Sequence, residues 1–81
     1  MSDKVEAHIL NTISDKGLKA VFEESESYRN TGILPEGIIR SLARDLKETF
    51  SLPLPPVSIN DLVIQICLRE IARRWIASNQ D

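Results

Sequence analysis

An 81-residue chain with a net charge of −2, 42% hydrophobic and 27% charged, has room for one domain and a globular rather than disordered composition. Its single cysteine, Cys67, and single histidine, His8, exclude an internal disulfide and a His/Cys zinc cage. Stability at this size must then come from helix packing or from a partner. The charge balance disfavours a nucleic-acid binder, which is normally clearly basic.

The opening MSDKVEAH has no apolar h-region, which predicts no secretion signal. The apolar runs Leu62-Val63-Ile64 and Ile66-Cys67-Leu68 are split by Gln65 and followed by Arg69, too short for a span of ~20 residues. One thiol and no signal predict a reducing, cytoplasmic setting.

Proline is confined to positions 35, 53, 55 and 56, which leaves long stretches free to be helical. Val5, Ile9, Leu10 and Ile13 fall on one helical face, and Ser14-Asp15 reads as a break with a new N-cap. A second helix is predicted from about Asp15 to Arg29, with a thin apolar face of Leu18, Val21 and Phe22. Lys19–Glu23 and Glu26–Arg29 are spaced to pair on its solvated side. Glu23, Glu24 and Glu26 read as a solvated face, because an EF-hand's loop and glycine are missing. Gly32 suits the left-handed position that closes the helix.

Pro35 and Glu36 suit the first turn of a third helix. Its stripe of Ile39, Leu42, Leu46 and Phe50 is spaced 3, 4 and 4. Arg40, Arg44 and Lys47 lie on the opposite face. SLPLPP should break the helix into a stiff linker over 51–57, with Leu52 and Leu54 able to pack down. Ser58-x-x-Asp61 resembles a capping box opening a last helix that runs to about Ala77.

On a wheel of ~100° per residue the last helix shows two apolar surfaces. Ile59, Leu62, Val63, Ile66 and Cys67 form one. Ile64, Leu68, Ile71 and Trp75, spaced 4, 3 and 4, form a second with the rhythm of a helix–helix seam. Asp61, Gln65, Arg69 and Arg73 make a narrow polar strip on the far side. The second stripe is covered either by other helices of the chain or by a second copy. The short supply of apolar residues on helix two favours the second copy, although two heptads make a short seam.

The predicted fold is therefore all-α, a single domain over 1–81: a bundle of three to four helices with a long, mostly buried C-terminal helix and fraying ends at 1–4 and 78–81. Ile39, Leu42, Leu46, Phe50, Leu62, Val63 and Ile66 are the expected internal core. No arrangement of Ser, Cys or Asp around His8 supports catalysis, and His8 reads as a rim residue. Cys67 reads as a buried inert thiol. Glycines 17, 32 and 37 form no phosphate loop. No enzyme activity, cofactor or metal is expected.

The expected function is protein–protein contact of a regulatory kind, through a homodimer with Ile64, Leu68, Ile71 and Trp75 at its interface. An alternative is nucleic-acid binding through anion contacts of Arg40, Arg44 and Lys47, joined by Arg73 and Arg74. A minor alternative rests on Leu46-Lys-Glu-Thr-Phe50-Ser-Leu-Pro-Leu54-Pro55. These ten positions resemble the end of helix two in acyl carrier proteins, where L-x-E-x-F precedes an apolar-Pro pair. The resemblance implies a small acidic helical carrier domain. The family's attachment serine should stand at the start of this helix, where the chain reads Pro35-Glu36-Gly37-Ile38, so the implied domain lacks its phosphopantetheine arm. The loop between Pro55 and the last helix is also shorter than the family's.

Overall fold

The computed structural model describes residues 2–79, which form four helices and no strand: α1 (Ser2–Thr12), α2 (Asp15–Thr31), α3 (Ile38–Phe50) and α4 (Pro56–Ser78). The fraying expected at Met1, Gln80 and Asp81 lies outside the described residues. α4 packs against the other three helices, and α3 also packs against α1 and α2.

The break between α1 and α2 follows from local chemistry. Ser14 takes an extended conformation, and its hydroxyl accepts from the Gly17 N–H at 3.1 Å. α2 closes with Gly32 at φ 76°, its N–H donating to the Tyr28 carbonyl at 2.7 Å. Both caps fall where the sequence places them. The Glu26–Arg29 pair forms at 3.9 Å, and Lys19 and Glu23 stay apart.

The starts of the last two helices differ from expectation. Pro35 and Glu36 precede α3 rather than opening it, and Gly37 is the N-cap. The orphan donors of the first turn are met from another helix. Ile38 and Ile39 N–H donate to the two carboxylate oxygens of Glu24 in α2, at 2.9 and 3.0 Å. Glu24 is therefore a tertiary helix cap and not part of a solvated acidic face. Gly37 allows this approach: a Cβ there would lie 2.7 Å from the Glu24 carboxyl carbon and closer still to one oxygen. α4 begins two residues before the expected capping box, with Pro55 as N-cap and Pro56 in the first turn, and no side chain caps it. Ser58 and Ile59 N–H donate to the Pro55 carbonyl at 3.0 and 3.2 Å instead. The linker thus ends at Pro55. Within it Leu52 is buried while Leu54 stays largely exposed.

The core joins all four helices: Val5 and Ile9 of α1, Leu18 and Val21 of α2, Ile39 and Leu46 of α3, and Ile59, Val63, Ile66 and Cys67 of α4. Leu34 and Leu52 plug it from the loops. Of the residues expected inside, Ile39, Leu46, Val63 and Ile66 are fully enclosed, and Leu42, Phe50 and Leu62 pack half-buried at its margin. α1 is docked rather than loose. Besides Val5 and Ile9, its His8 Nε2 sits 2.6 Å from Asp45 Oδ2 in α3, with the ring edge-on to Phe50.

The bundle is a slab, with extents of 42 × 31 × 16 Å and a radius of gyration of 12.8 Å. A compact chain of this length would have a radius near 11.7 Å. Accessible area agrees: 5608 Å², against roughly 4900 Å² for a compact monomer of this mass.

Candidate functional site

Burial along α4 is graded. Ile59, Val63, Ile66, Cys67 and Glu70 are enclosed, whereas Trp75 is 65% and Ile76 58% exposed. The four residues expected as a seam lie together along the groove between α2 and α4. Ile64 and Leu68 line its lower part beside Tyr28 and Asp61. Its upper part is an apolar hollow walled by Phe22, Leu68, Ile71, Ala72, Trp75 and Ile76. On the other side of Trp75 a second hollow is walled by Asp15, Leu18, Lys19 and Arg74. The indole therefore stands as a ridge between two depressions.

This groove exists because the apolar face of α2 is thin. Leu18 and Val21 turn fully into the core, and the next buried position on the helix is Ser25, whose hydroxyl donates to its own helix at the Phe22 carbonyl, 2.8 Å away. Phe22, expected to pack inward with Leu18 and Val21, is 47% exposed and lies in the groove. α2 covers one flank of the second stripe and leaves the other open. Leu68 and Ile71 are half-buried as a result.

An ion cluster anchors the same end of α4. Glu70 is buried, at 5% exposure. Arg73 donates to it through Nε at 2.8 Å and Nη2 at 2.6 Å, and Arg74 through Nε at 2.6 Å. Arg74 also reaches Asp15 in the first turn of α2. Hydrogen bonds from Arg73 and then Arg74 outweigh the desolvation of the Glu70 carboxyl and hold its pKa at about 2. Glu70 is absent from the core expected from the sequence. Its spacing of three and four to two arginines was a visible signal, because a buried carboxylate requires such partners.

These contacts divide the expected anion-binding set. Arg73 and Arg74 belong to the Glu70 cluster, far along α4 from Arg40, Arg44 and Lys47, and do not join them in one basic face. Arg40 donates to the Leu34 carbonyl at 2.7 Å and lies 3.4 Å from Glu36. Arg44 lies 3.3 Å from the same carboxylate. Arg40, Arg44 and Lys47 line a separate hollow against the first turn of α4.

His8 differs from expectation in having a carboxylate beside it. Asp45 lies between His8 and the Thr49 hydroxyl, which donates to its other oxygen at 3.4 Å. In a nucleophilic triad the histidine must lie between nucleophile and acid; here the acid is central, so the order suits a tether. Cys67 is buried, and desolvation, followed by the charge of Glu70, pushes its thiol up to about 11. That leaves negligible thiolate at neutral pH. Among the described residues no group of three His, Cys, Asp or Glu side chains is placed to hold a metal, and no helix is long and apolar enough to cross a membrane.

Comparison of the chain with protein-family models, curated proteins and solved structures returned no match.

Proposed function

We propose that the protein works by protein–protein contact, as a homodimer joined through the α2–α4 groove. The carrying observation is the exposed apolar surface formed by Phe22, Leu68, Ile71, Ala72, Trp75 and Ile76. An apolar patch of this kind on a small protein is where partners bind. Trp and Phe are also the residue types enriched at interface centres.

A second copy is the occupant that best fits its shape. The surface holds both a ridge, Trp75 with Ile76, and an adjacent hollow floored by Leu68 and Ile71. A two-fold axis lets each copy's ridge enter the other's hollow, which is the self-complementarity an isologous dimer requires. The dimer would serve an adaptor or regulatory role in a reducing cytoplasm.

Sedimentation equilibrium over a range of concentrations, at low and high salt, tests this. The expected mass is twice the 9.1 kDa of the chain, unchanged in high salt because the contact is apolar. Trp75→Asp and Leu68→Asp should both give monomers, and the exposed Trp75 position leaves the fold intact by circular dichroism. A wild-type monomer at every concentration would refute the proposal.

A further inference from the structure

We propose that the hollow between α3 and the first turn of α4 binds a phosphate monoester. Its walls are Arg40, Ala43, Arg44 and Lys47 on one side and Pro56, Ile59 and Asn60 on the other, around an open depression of about 170 Å³. That is ample for one phosphate group and too small for a folded partner. The three cations recur at intervals of four and three along α3, so they share one helical face.

Charge in this wall is not balanced from within. Among the described residues Glu36 is the one carboxylate within 4.0 Å of its cations, shared between Arg40 at 3.4 Å and Arg44 at 3.3 Å, and both pairs are exposed and weak. Lys47 has no ion-pair partner within 4.0 Å among the described residues. Three cations against one carboxylate leave two positive charges, the match for a phosphate dianion.

Arg40 also braces this wall, donating through Nη2 to the Leu34 carbonyl at 2.7 Å. Among the described residues, Arg40 Nε is the one buried side-chain nitrogen or oxygen without a hydrogen-bond partner. That nitrogen is closed to a water-sized atom, so Arg40 offers the hollow its positive charge and not this donor. The opposite wall contributes Asn60; the helix start adds only its dipole, because Pro56 has no N–H and the Ser58 and Ile59 N–H groups already donate to the Pro55 carbonyl.

The arrangement selects among anions. A carboxylate carries one charge and two oxygens and would leave one of the three cations unmatched. A tetrahedral monoester presents three terminal oxygens to donors on both sides. A nucleic-acid backbone needs a run of cations spaced along its phosphates, whereas Arg73 and Arg74 are held on Glu70 at the other end of α4.

The test is titration of the full-length protein with O-phospho-L-serine and with inorganic phosphate at low ionic strength, followed by amide NMR. Sodium chloride at matched ionic strength is the control. Saturable shifts at Arg44, Lys47, Val57 and Asn60, half-complete near or below 1 mM phosphoserine and weakening with salt, are expected. Lys47→Glu and Arg44→Glu are exposed changes that should keep the fold and weaken binding at least tenfold. Tighter binding of phosphoserine than of inorganic phosphate identifies the monoester as the ligand class, and equal binding identifies free phosphate. Shifts reproduced by chloride alone, no saturation, or unchanged binding by both variants would overturn the proposal. Because the hollow is on a different face from the α2–α4 groove, the result is independent of oligomeric state.

Discussion

The cap that Glu24 places on α3 can be tested as a coupling between two positions that no local rule connects. Glu24→Ala removes two carboxylate hydrogen bonds, from Ile38 at 2.9 Å and Ile39 at 3.0 Å. Loss of a helix N-cap costs ~0.5–2 kcal/mol, and bonds to a charged acceptor are at the upper end, so about 2 kcal/mol is expected. For a domain of this length that lowers Tm by roughly 10 °C. Gly37→Ala should act on the same bonds. Its new methyl would sit 2.7 Å from the Glu24 carboxyl carbon and displace the cap, while stiffening the unfolded chain returns about 0.5 kcal/mol. The net loss in the wild-type background is therefore about 1.5 kcal/mol. In the Glu24→Ala background there is no carboxylate to displace, and Gly37 sits at φ 179°, an extended backbone open to alanine. There Gly37→Ala should be neutral or stabilise by about 0.5 kcal/mol. Urea denaturation of the four proteins, followed by circular dichroism, measures the cycle. Effects that add to within about 0.5 kcal/mol would refute the reasoning.

The Glu70 cluster should make stability depend on acid. The folded pKa of about 2 lies below the ordinary 4.5, so the unfolded chain binds the proton more readily between those values. The contribution is therefore fully present above about pH 4.5 and is lost as pH falls toward 2; Glu70→Gln should flatten this part of the stability–pH curve, measured by thermal melts. Glu70→Ala at neutral pH should cost about 2 kcal/mol, the modest side for a buried pair because Arg73 remains open to water. Gly32→Ala should cost about 1 kcal/mol through its left-handed φ of 76° alone, since a Cβ there meets nothing within 4 Å. Ser51 occupies the same region at φ 50°, and Ser51→Gly should stabilise by about 0.5–1 kcal/mol in the same denaturation assay. Cys67, with its thiol pushed up to about 11, should resist a thiol reagent at neutral pH until denaturant unfolds the chain; rapid labelling of the native protein would contradict its burial.

Much of the helical layout is legible residue by residue. Ser14 and Gly32 act through bonds to groups three and four residues away, so their caps follow from the local chain. The stripe on α3 and the first apolar surface of α4 were readable for a similar reason, because periodicity requires only that one face meet a core. Errors arose wherever the partner came from another element. Pro35 looked like a helix start because the Glu24 carboxylate that sets the true start belongs to a different helix. Phe22 looked internal because periodicity places it on the side of Leu18 and Val21 without showing how far α2 reaches across α4. The Asp45 side chain beside His8 is separated from it by 37 positions, and no spacing rule covers that distance.

The sequence by itself determined that the chain is all-α, where its second helix begins and ends, and which face of each helix is apolar, since these depend on propensity, local hydrogen bonds and a 3.6-residue period. Tertiary structure alone decided what lies against each face: that Glu24 caps α3, that Glu70 is buried between two arginines, that α1 docks, and that Trp75 stands above a groove instead of filling one. Those outcomes depend on the distances and angles at which helices cross.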